Sequence, residues 1–90
     1  MRELKKEFVG CGEVKGIKFK QLRKSNFAYM YEVDSGCSIY YEVFQRKVNR
    51  KFNHEMYPRA KHFSKWAWTC MSFDKAIKKF NSLNEIENAA

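Results

Sequence analysis

Basic side chains are the residues of this sequence with the clearest capacity for chemistry, and they gather in two segments. The 90-residue chain carries 18 lysines and arginines against 10 acids, a formal charge of +8. Residues 14–31 hold five cations and no acid, and residues 43–66 hold seven cations and one acid. A local excess of this kind attracts anionic partners and is typical of nucleic-acid-binding surfaces.

Aromatic residues alternate with these cations. Lysine and arginine neutralise phosphates, and exposed rings stack on unpaired bases at about 1–3 kcal/mol each. We therefore predict a surface on which Tyr40 and Phe44 stack, beside Met30 on the same outer sheet face, while cations contact phosphate. The predicted nucleic-acid-binding residues are Lys18, Lys20, Tyr40, Phe44, Arg46, Lys47, Arg50, Lys51, Arg59, Lys61 and Lys65. The alternative is that these cations only keep a small domain soluble, and that Tyr40 and Phe44 form a second core under a loop.

Catalytic side chains are sparse and lack motif spacing. Asp34 falls in a predicted turn and Asp74 in the first turn of a predicted helix, which are ordinary structural positions. His54 and His62 lie eight residues apart with no carboxylate placed by the sequence to orient them. A pair of Cys70 with His62 has no supporting motif, and no glycine-rich phosphate loop is present. We expect no catalytic residue and no enzymatic activity.

The three cysteines Cys11, Cys37 and Cys70 are separated by 26 and 33 residues. That spacing fits neither a disulfide framework nor a zinc site, so we expect no metal, no cofactor and small buried thiols in a reducing compartment. No apolar run approaches the roughly 20 residues that span a bilayer, and the charged start MRELKKEF lacks a secretory signal. A cytoplasmic location without a membrane partner is the expectation.

The elements that must position these residues are predicted to be strands followed by one helix. Alternating apolar and polar residues indicate half-buried strands, and Asp34-Ser35-Gly36 is typical of a hairpin turn. Residues 47–64 are irregular and predict a long loop with a short helical turn. The predicted strands cover residues 8–14, 17–22, 27–33, 38–46 and 65–70. In the last of these, Trp66, Trp68 and Cys70 are expected on one face.

An amphipathic helix is predicted from Ser72 to Leu83. Ser72 is a favourable N-cap, and apolar residues at 73, 76, 77, 80 and 83 form one stripe. We expect this stripe to pack on Phe27, Tyr29, Tyr31, Ile39, Tyr41 and Val43, and residues 84–90 to fray. The result is a single α+β domain over residues 1–90, a four- to five-stranded antiparallel sheet packed by one C-terminal helix.

Four segments resemble a group of short uncharacterised proteins from bacteria and their phages: Tyr41-Glu42-Val43-Phe44, Tyr57-Pro58, Phe63-Ser64-Lys65-Trp66-Ala67-Trp68 and the helix with Ala76 and Phe80. The resemblance implies a phage or mobile-element accessory protein that binds DNA, RNA or a host protein in the host cytoplasm. It transfers no functional residues. The order of strands followed by a helix is also similar in outline to PUR- and Whirly-type single-strand binders, an analogy of fold alone.

The leading functional hypothesis is a small non-enzymatic nucleic-acid-binding protein, with single strands favoured. The alternative is a phage-type accessory protein that binds and modulates a host protein through an exposed sheet edge or the aromatic loop. A homodimer formed through a sheet edge is a third possibility, because unpaired edge strands can pair with a second copy.

Overall fold

The structure, a computed structural model, describes residues 3–10, 15–49, 51 and 54–89. The strands are β1 Glu7–Val9, β2 Lys18–Lys24, β3 Ala28–Asp34, β4 Ile39–Gln45, β5 Val48–Asn49, β6 His54–Glu55 and β7 Ala67–Cys70, and the helix is α1 Phe73–Ala89. Within the described residues a five-stranded antiparallel sheet runs in the order β1-β2-β3-β4-β7 and packs against the C-terminal helix, which confirms the predicted α+β fold.

The central hairpin of β3 and β4 sets the two faces of the sheet. Both strands are rich in aromatic and β-branched residues, which favour extended backbone. Gly36 takes a φ of +88° in the turn, and its N–H donates to Asp34 Oδ1 at 2.8 Å. The turn pairs Asp34 with Ile39, so Tyr29 lies opposite Phe44.

This register confirms Tyr41 and Val43 under the helix but overturns the prediction that Tyr29 and Tyr31 pack there. Cross-strand partners share a face, so Tyr29 and Tyr31 lie with Phe44, on the side away from α1. The helix instead packs its residues Ala76, Phe80 and Leu83 on Ala28, Met30 and Val43, with Tyr41 and Trp68 beside them. Ile39, expected under the helix, is half exposed at the end of the sheet. We call this face the helix side and the other the lid side.

The lid is the described part of residues 47–66. It holds the β5–β6 hairpin and a 3-10 turn at Ala60–His62, which confirms the predicted short helical turn. Tyr57 lies at its centre, and its ring packs edge-on against Phe8, Phe19, Tyr31 and Phe44 with centroids 4.9–5.5 Å apart. Phe44 is fully buried beneath it, so the lid forms a second aromatic core.

Helix α1 begins where the sequence predicts. Ser72 Oγ accepts the N–H of Lys75 at 3.2 Å, which confirms the N-cap. The sequence predicts fraying beyond Leu83, whereas in the described chain the helix continues to Ala89. Asn84 explains part of this extension, since its Oδ1 accepts the hydroxyl of Ser25 from the turn before β3.

Two strand boundaries differ from the prediction. Strand β1 ends at Val9, and residues 11–14 of the predicted first strand lie outside the described residues. Strand β7 begins at Ala67, so Trp66 precedes it and packs in the lid-side core, while Trp68 and Cys70 pack on the helix side. The expectation that both tryptophans share a face is therefore wrong.

Candidate nucleic-acid interface

The first basic segment lies beside acids. Lys18 and Lys20 are on the helix side of β2, where Lys18 pairs with Asp34 and Lys20 with Glu32 of β3. Lys20 also pairs with Glu7 of β1. These five side chains line a surface cavity of about 430 Å³. Each lysine has a carboxylate directly opposite it on a neighbouring strand, so the local charge is close to balanced.

The expected common surface of Lys18, Lys20, Tyr40 and Phe44 is wrong. The two lysines are on the helix side, whereas the two rings are on the lid side of the sheet. Phe44 is fully buried and Tyr40 is half-buried against the same core, where burial raises its hydroxyl pKa. Neither ring stands free for a base, and the second core weighed as the alternative is the arrangement found.

Arg46 is enclosed by protein acceptors. Its side chain is 14% exposed, and Nε donates to Glu55 Oε2 at 2.6 Å. One terminal nitrogen donates to Glu3 Oε2 at 3.0 Å and the other to the carbonyl of Ser25 at 2.9 Å. The guanidinium also lies 5.1 Å from the centroid of the Tyr29 ring. Its hydrogen bond to Glu55 is the main reason that its pKa is raised. Arg46 therefore joins the lid to the sheet, contrary to its expected place on an exposed phosphate-binding face.

The remaining predicted residues belong to the lid. Lys47 and Lys51 are exposed around the β5–β6 hairpin, and Arg50 lies outside the described residues. Arg59, Lys61 and Lys65 are exposed further along the lid, and none of the three has an acidic side chain within 4 Å in the described part of the chain. We call residues 59–65 the cationic turn.

His62 lies at the centre of the cationic turn. Burial lowers the pKa of its imidazole, and the positive charges of Lys61, Arg59 and Lys65 lower it further. The imidazole therefore lies in the combined field of all three cations. Its ring packs on that of Trp66, with centroids 4.7 Å apart.

Backbone hydrogen bonds fix the shape of the cationic turn. The N–H of His62 donates to the carbonyl of Arg59 at 2.8 Å, and the carbonyl of His62 accepts from Lys65 and Trp66 at 3.1 and 3.2 Å. Ser64 adopts a φ of +75°, and its N–H donates to the carbonyl of Ala67 at 2.7 Å. A non-glycine residue in this left-handed region is uncommon and is retained only where the surroundings impose it.

Two helix lysines extend the positive charge past β7, which is an edge strand of the sheet. Lys79 Nζ lies 3.9 Å from the centroid of the Trp68 ring. Burial raises the pKa of the neighbouring Cys70 thiol, and the charges of Lys79 and Lys75 oppose that rise. We call the set Arg59, Lys61, Lys65, Lys75 and Lys79 the β7 edge surface. The cationic turn precedes the strand on the lid side, and the two lysines flank it on the helix side.

The sequence prediction missed Lys75 and Lys79. Residues 67–90 have no net charge, because acids such as Asp74 and Glu85 cancel the lysines in the sum. A sum over the segment does not show on which side of the helix each charge lies, so it hides a local positive excess. The signal was present in the spacing: residues four apart on a helix lie on the same side. Read with the stripe that ends at Leu83, that spacing places Lys75 and Lys79 together on one flank of α1.

Neither cysteine that the structure describes forms a disulfide. Cys37 is exposed in the β3–β4 turn, so its expected burial is wrong, and Cys70 is partly buried beside α1. Among the residues described, no three His, Cys, Asp or Glu side chains gather as metal ligands. No helix in the same residues is long and apolar enough to cross a membrane.

Comparison of the chain with protein families, with curated proteins and with solved structures finds no match. The functional assignment therefore depends on the geometry and charge of the β7 edge surface.

Proposed function

We propose that this protein is a small non-enzymatic nucleic-acid-binding protein that contacts the sugar-phosphate backbone through the β7 edge surface. The observation that carries the proposal is the exposure of Arg59, Lys61 and Lys65 with no acid within 4 Å in the described residues. Cations held in this state retain their full capacity to displace counterions from phosphates.

Single strands are the favoured form of the ligand. Trp66 and Trp68 are partly exposed. The Trp66 ring packs on His62 of the cationic turn, with centroids 4.7 Å apart, and the centroid of the Trp68 ring lies 3.9 Å from Lys79 Nζ. The bases of a single strand can turn towards such rings, whereas duplex bases are stacked on each other. With Phe44 buried, charge supplies most of the affinity, so we expect little sequence preference.

Fluorescence anisotropy with labelled single-stranded DNA, single-stranded RNA and duplex DNA tests the proposal. At low salt we expect binding that is tightest for single strands and that weakens steeply as salt is added. The triple variant R59Q/K61Q/K65Q should bind at least about tenfold more weakly.

The matched control is K15Q/K18Q/K20Q, which removes the same number of charges from exposed positions of the first basic segment. It should bind within about threefold of the wild type, because Lys18 and Lys20 already face acids. Absence of binding at low salt, or equal losses in the two triple variants, contradicts the proposal.

A protein partner is the second candidate function, and an exposed apolar patch favours it. Met71 is 68%, Ile39 50% and Phe73 43% exposed, and the Phe73 ring contacts that of Tyr41, two residues from Ile39 on the same face. Clustered exposed apolar side chains mark interaction surfaces. Capture of a host protein that survives nuclease treatment and is lost in I39S/F73S would support this candidate. Capture that nuclease abolishes would favour the nucleic-acid proposal.

A further inference from the structure

Within the described residues, Nε2 is the one polar atom of His62 without a hydrogen-bond partner. Its backbone N–H and carbonyl are bonded within the cationic turn. Its Nδ1 accepts the backbone N–H of Arg59 at 3.0 Å, and one face of its ring packs on Trp66. In the described part of the chain no hydrogen bond engages Nε2.

The bond from Arg59 fixes the tautomer. An Nδ1 that accepts an N–H must carry the lone pair, so the neutral imidazole bears its proton on Nε2. Protonation of Nδ1 would set two donors against each other. Arg59, Lys61 and Lys65 are the charged groups around the ring, and each of them also opposes an imidazolium. His62 therefore presents a neutral N–H donor, held in place, among three cations.

We propose that the cationic turn is a phosphate-binding site in which the Nε2–H of neutral His62 donates to a phosphate oxygen while Arg59, Lys61 and Lys65 supply the charge. The inference rests on the proposed function, because it takes the phosphate to be a backbone phosphodiester. A free phosphate ion offers the same oxygens, so the experiment must separate these two sources.

Nitrogen-detected NMR of the imidazole reads the site directly. Titration of the wild-type protein with inorganic phosphate, and separately with a single-stranded oligonucleotide, should shift the Nε2 resonance of His62. The Nδ1 resonance should keep the position of an unprotonated nitrogen in both titrations. A role of His62 in turn structure alone would leave Nε2 unmoved.

Two substitutions separate the nitrogens. In His62→Asn the amide oxygen can replace Nδ1 as the acceptor for Arg59, but no atom reaches the position of Nε2. In His62→Gln the amide nitrogen reaches that position and does not titrate. We expect His62→Asn to lose about tenfold in oligonucleotide affinity, as for a hydrogen bond to a charged group, and His62→Gln to retain most of it.

The outcomes are distinct. Shifts of Nε2 with both ligands, together with the loss in His62→Asn, support the inference. Shifts with inorganic phosphate alone, without oligonucleotide binding, support an anion site and contradict the proposed function. Oligonucleotide binding that leaves Nε2 unmoved, or wild-type affinity in His62→Asn, overturns the inference and leaves the proposed function standing.

Discussion

The acids Glu42 and Glu55 are buried on the lid side, and each accepts a tyrosine hydroxyl. Glu42 is 8% exposed and accepts from Tyr57, and Glu55 is 4% exposed and accepts from Tyr29. Both bonds join a lid residue to a residue of the sheet. A buried carboxylate without such partners would cost several kcal/mol, so these pairs fix where the lid closes.

Replacement of Arg46 tests its structural role. Arg46→Met leaves Glu55 buried without its charge partner, so we expect a loss of about 3–5 kcal/mol in the free energy of unfolding, measured with urea. The double variant Arg46→Met/Glu55→Leu, which removes both charges, should recover a large part of this loss. Unchanged stability in the single variant would show that the Arg46–Glu55 pair does not hold the lid.

The bond between Tyr57 and Glu42 makes a prediction about pH. Burial raises the pKa of Glu42 above 4.5, and the hydroxyl of Tyr57 opposes the rise. A folded-state pKa above the unfolded value means that the contribution of Glu42 to stability is full below pH 4.5 and is lost as the pH rises through the folded pKa. Tyr57→Phe removes the hydroxyl that opposes the rise, so it raises the pKa of Glu42 further and increases the stability that is lost as the pH rises.

We therefore expect Tyr57→Phe to cost little near pH 4 and about 1–3 kcal/mol at pH 7. Unfolding curves at the two pH values measure the difference. Tyr41→Phe is the control, because it makes the same chemical change on the helix side, where the Tyr41 ring packs against Phe73 and the helix-side core. An equal loss at both pH values in Tyr57→Phe would contradict the assignment.

At the scale of elements, the cationic turn depends on the backbone of Ser64. Its φ of +75° suits glycine and is costly for a β-branched residue. We therefore expect the free energy of unfolding of Ser64→Val to be lower than that of Ser64→Gly by about 1 kcal/mol or more. At an ordinary loop position the valine variant would be the more stable of the two. Thermal unfolding of the two variants decides this, and a valine variant as stable as the glycine variant would show that the turn is not held in this conformation.

The sequence predicted the positions of the strands and the helix better than the face of the sheet on which each side chain lies. Alternation in β3 and β4 and the N-cap of α1 are local signals, and these strands and the helix start form as expected. The pairing of Tyr29 with Phe44 depends on the length of the turn after Asp34, and a shift of one residue would exchange the two faces. Neither strand by itself encodes this register, so the face of β3 under α1 was predicted wrongly, whereas Tyr41 and Val43 of β4 were predicted correctly under the helix.

The candidate site was also predicted only in part, because contacts between distant parts of the chain leave no local pattern in the sequence. Arg59 and Lys61 lie in the predicted loop and Lys65 at the start of the predicted strand 65–70; all three are exposed, and β7 begins at Ala67. Arg46 lies in the predicted strand 38–46 on the face expected to be exposed, yet Glu55, nine positions later, covers it. A contact between a strand and a lid has no periodic signature in the sequence.

At the scale of the whole molecule, the net charge of +8 is unevenly distributed, because some cations lie beside acids and others do not. The lysines of β2 face the acids of β1 and β3, and Arg46 and Lys24 pair with Glu3. Among the described residues, no acidic side chain lies within 4 Å of the cations of the β7 edge surface, at the opposite edge of the sheet from β1. The net charge thus acts as a directed patch, which is what association with a polyanion requires.

The dependence of single-strand affinity on salt tests this account most directly. Each phosphate contact adds about 0.7 to the slope of log affinity against log salt, so R59Q/K61Q/K65Q should reduce that slope by about 2 relative to the wild type. K15Q/K18Q/K20Q, with the same net charge, should leave the slope within about 0.7 of the wild-type value. Equal slopes in the two triple variants would show that total charge, and not the β7 edge surface, determines binding.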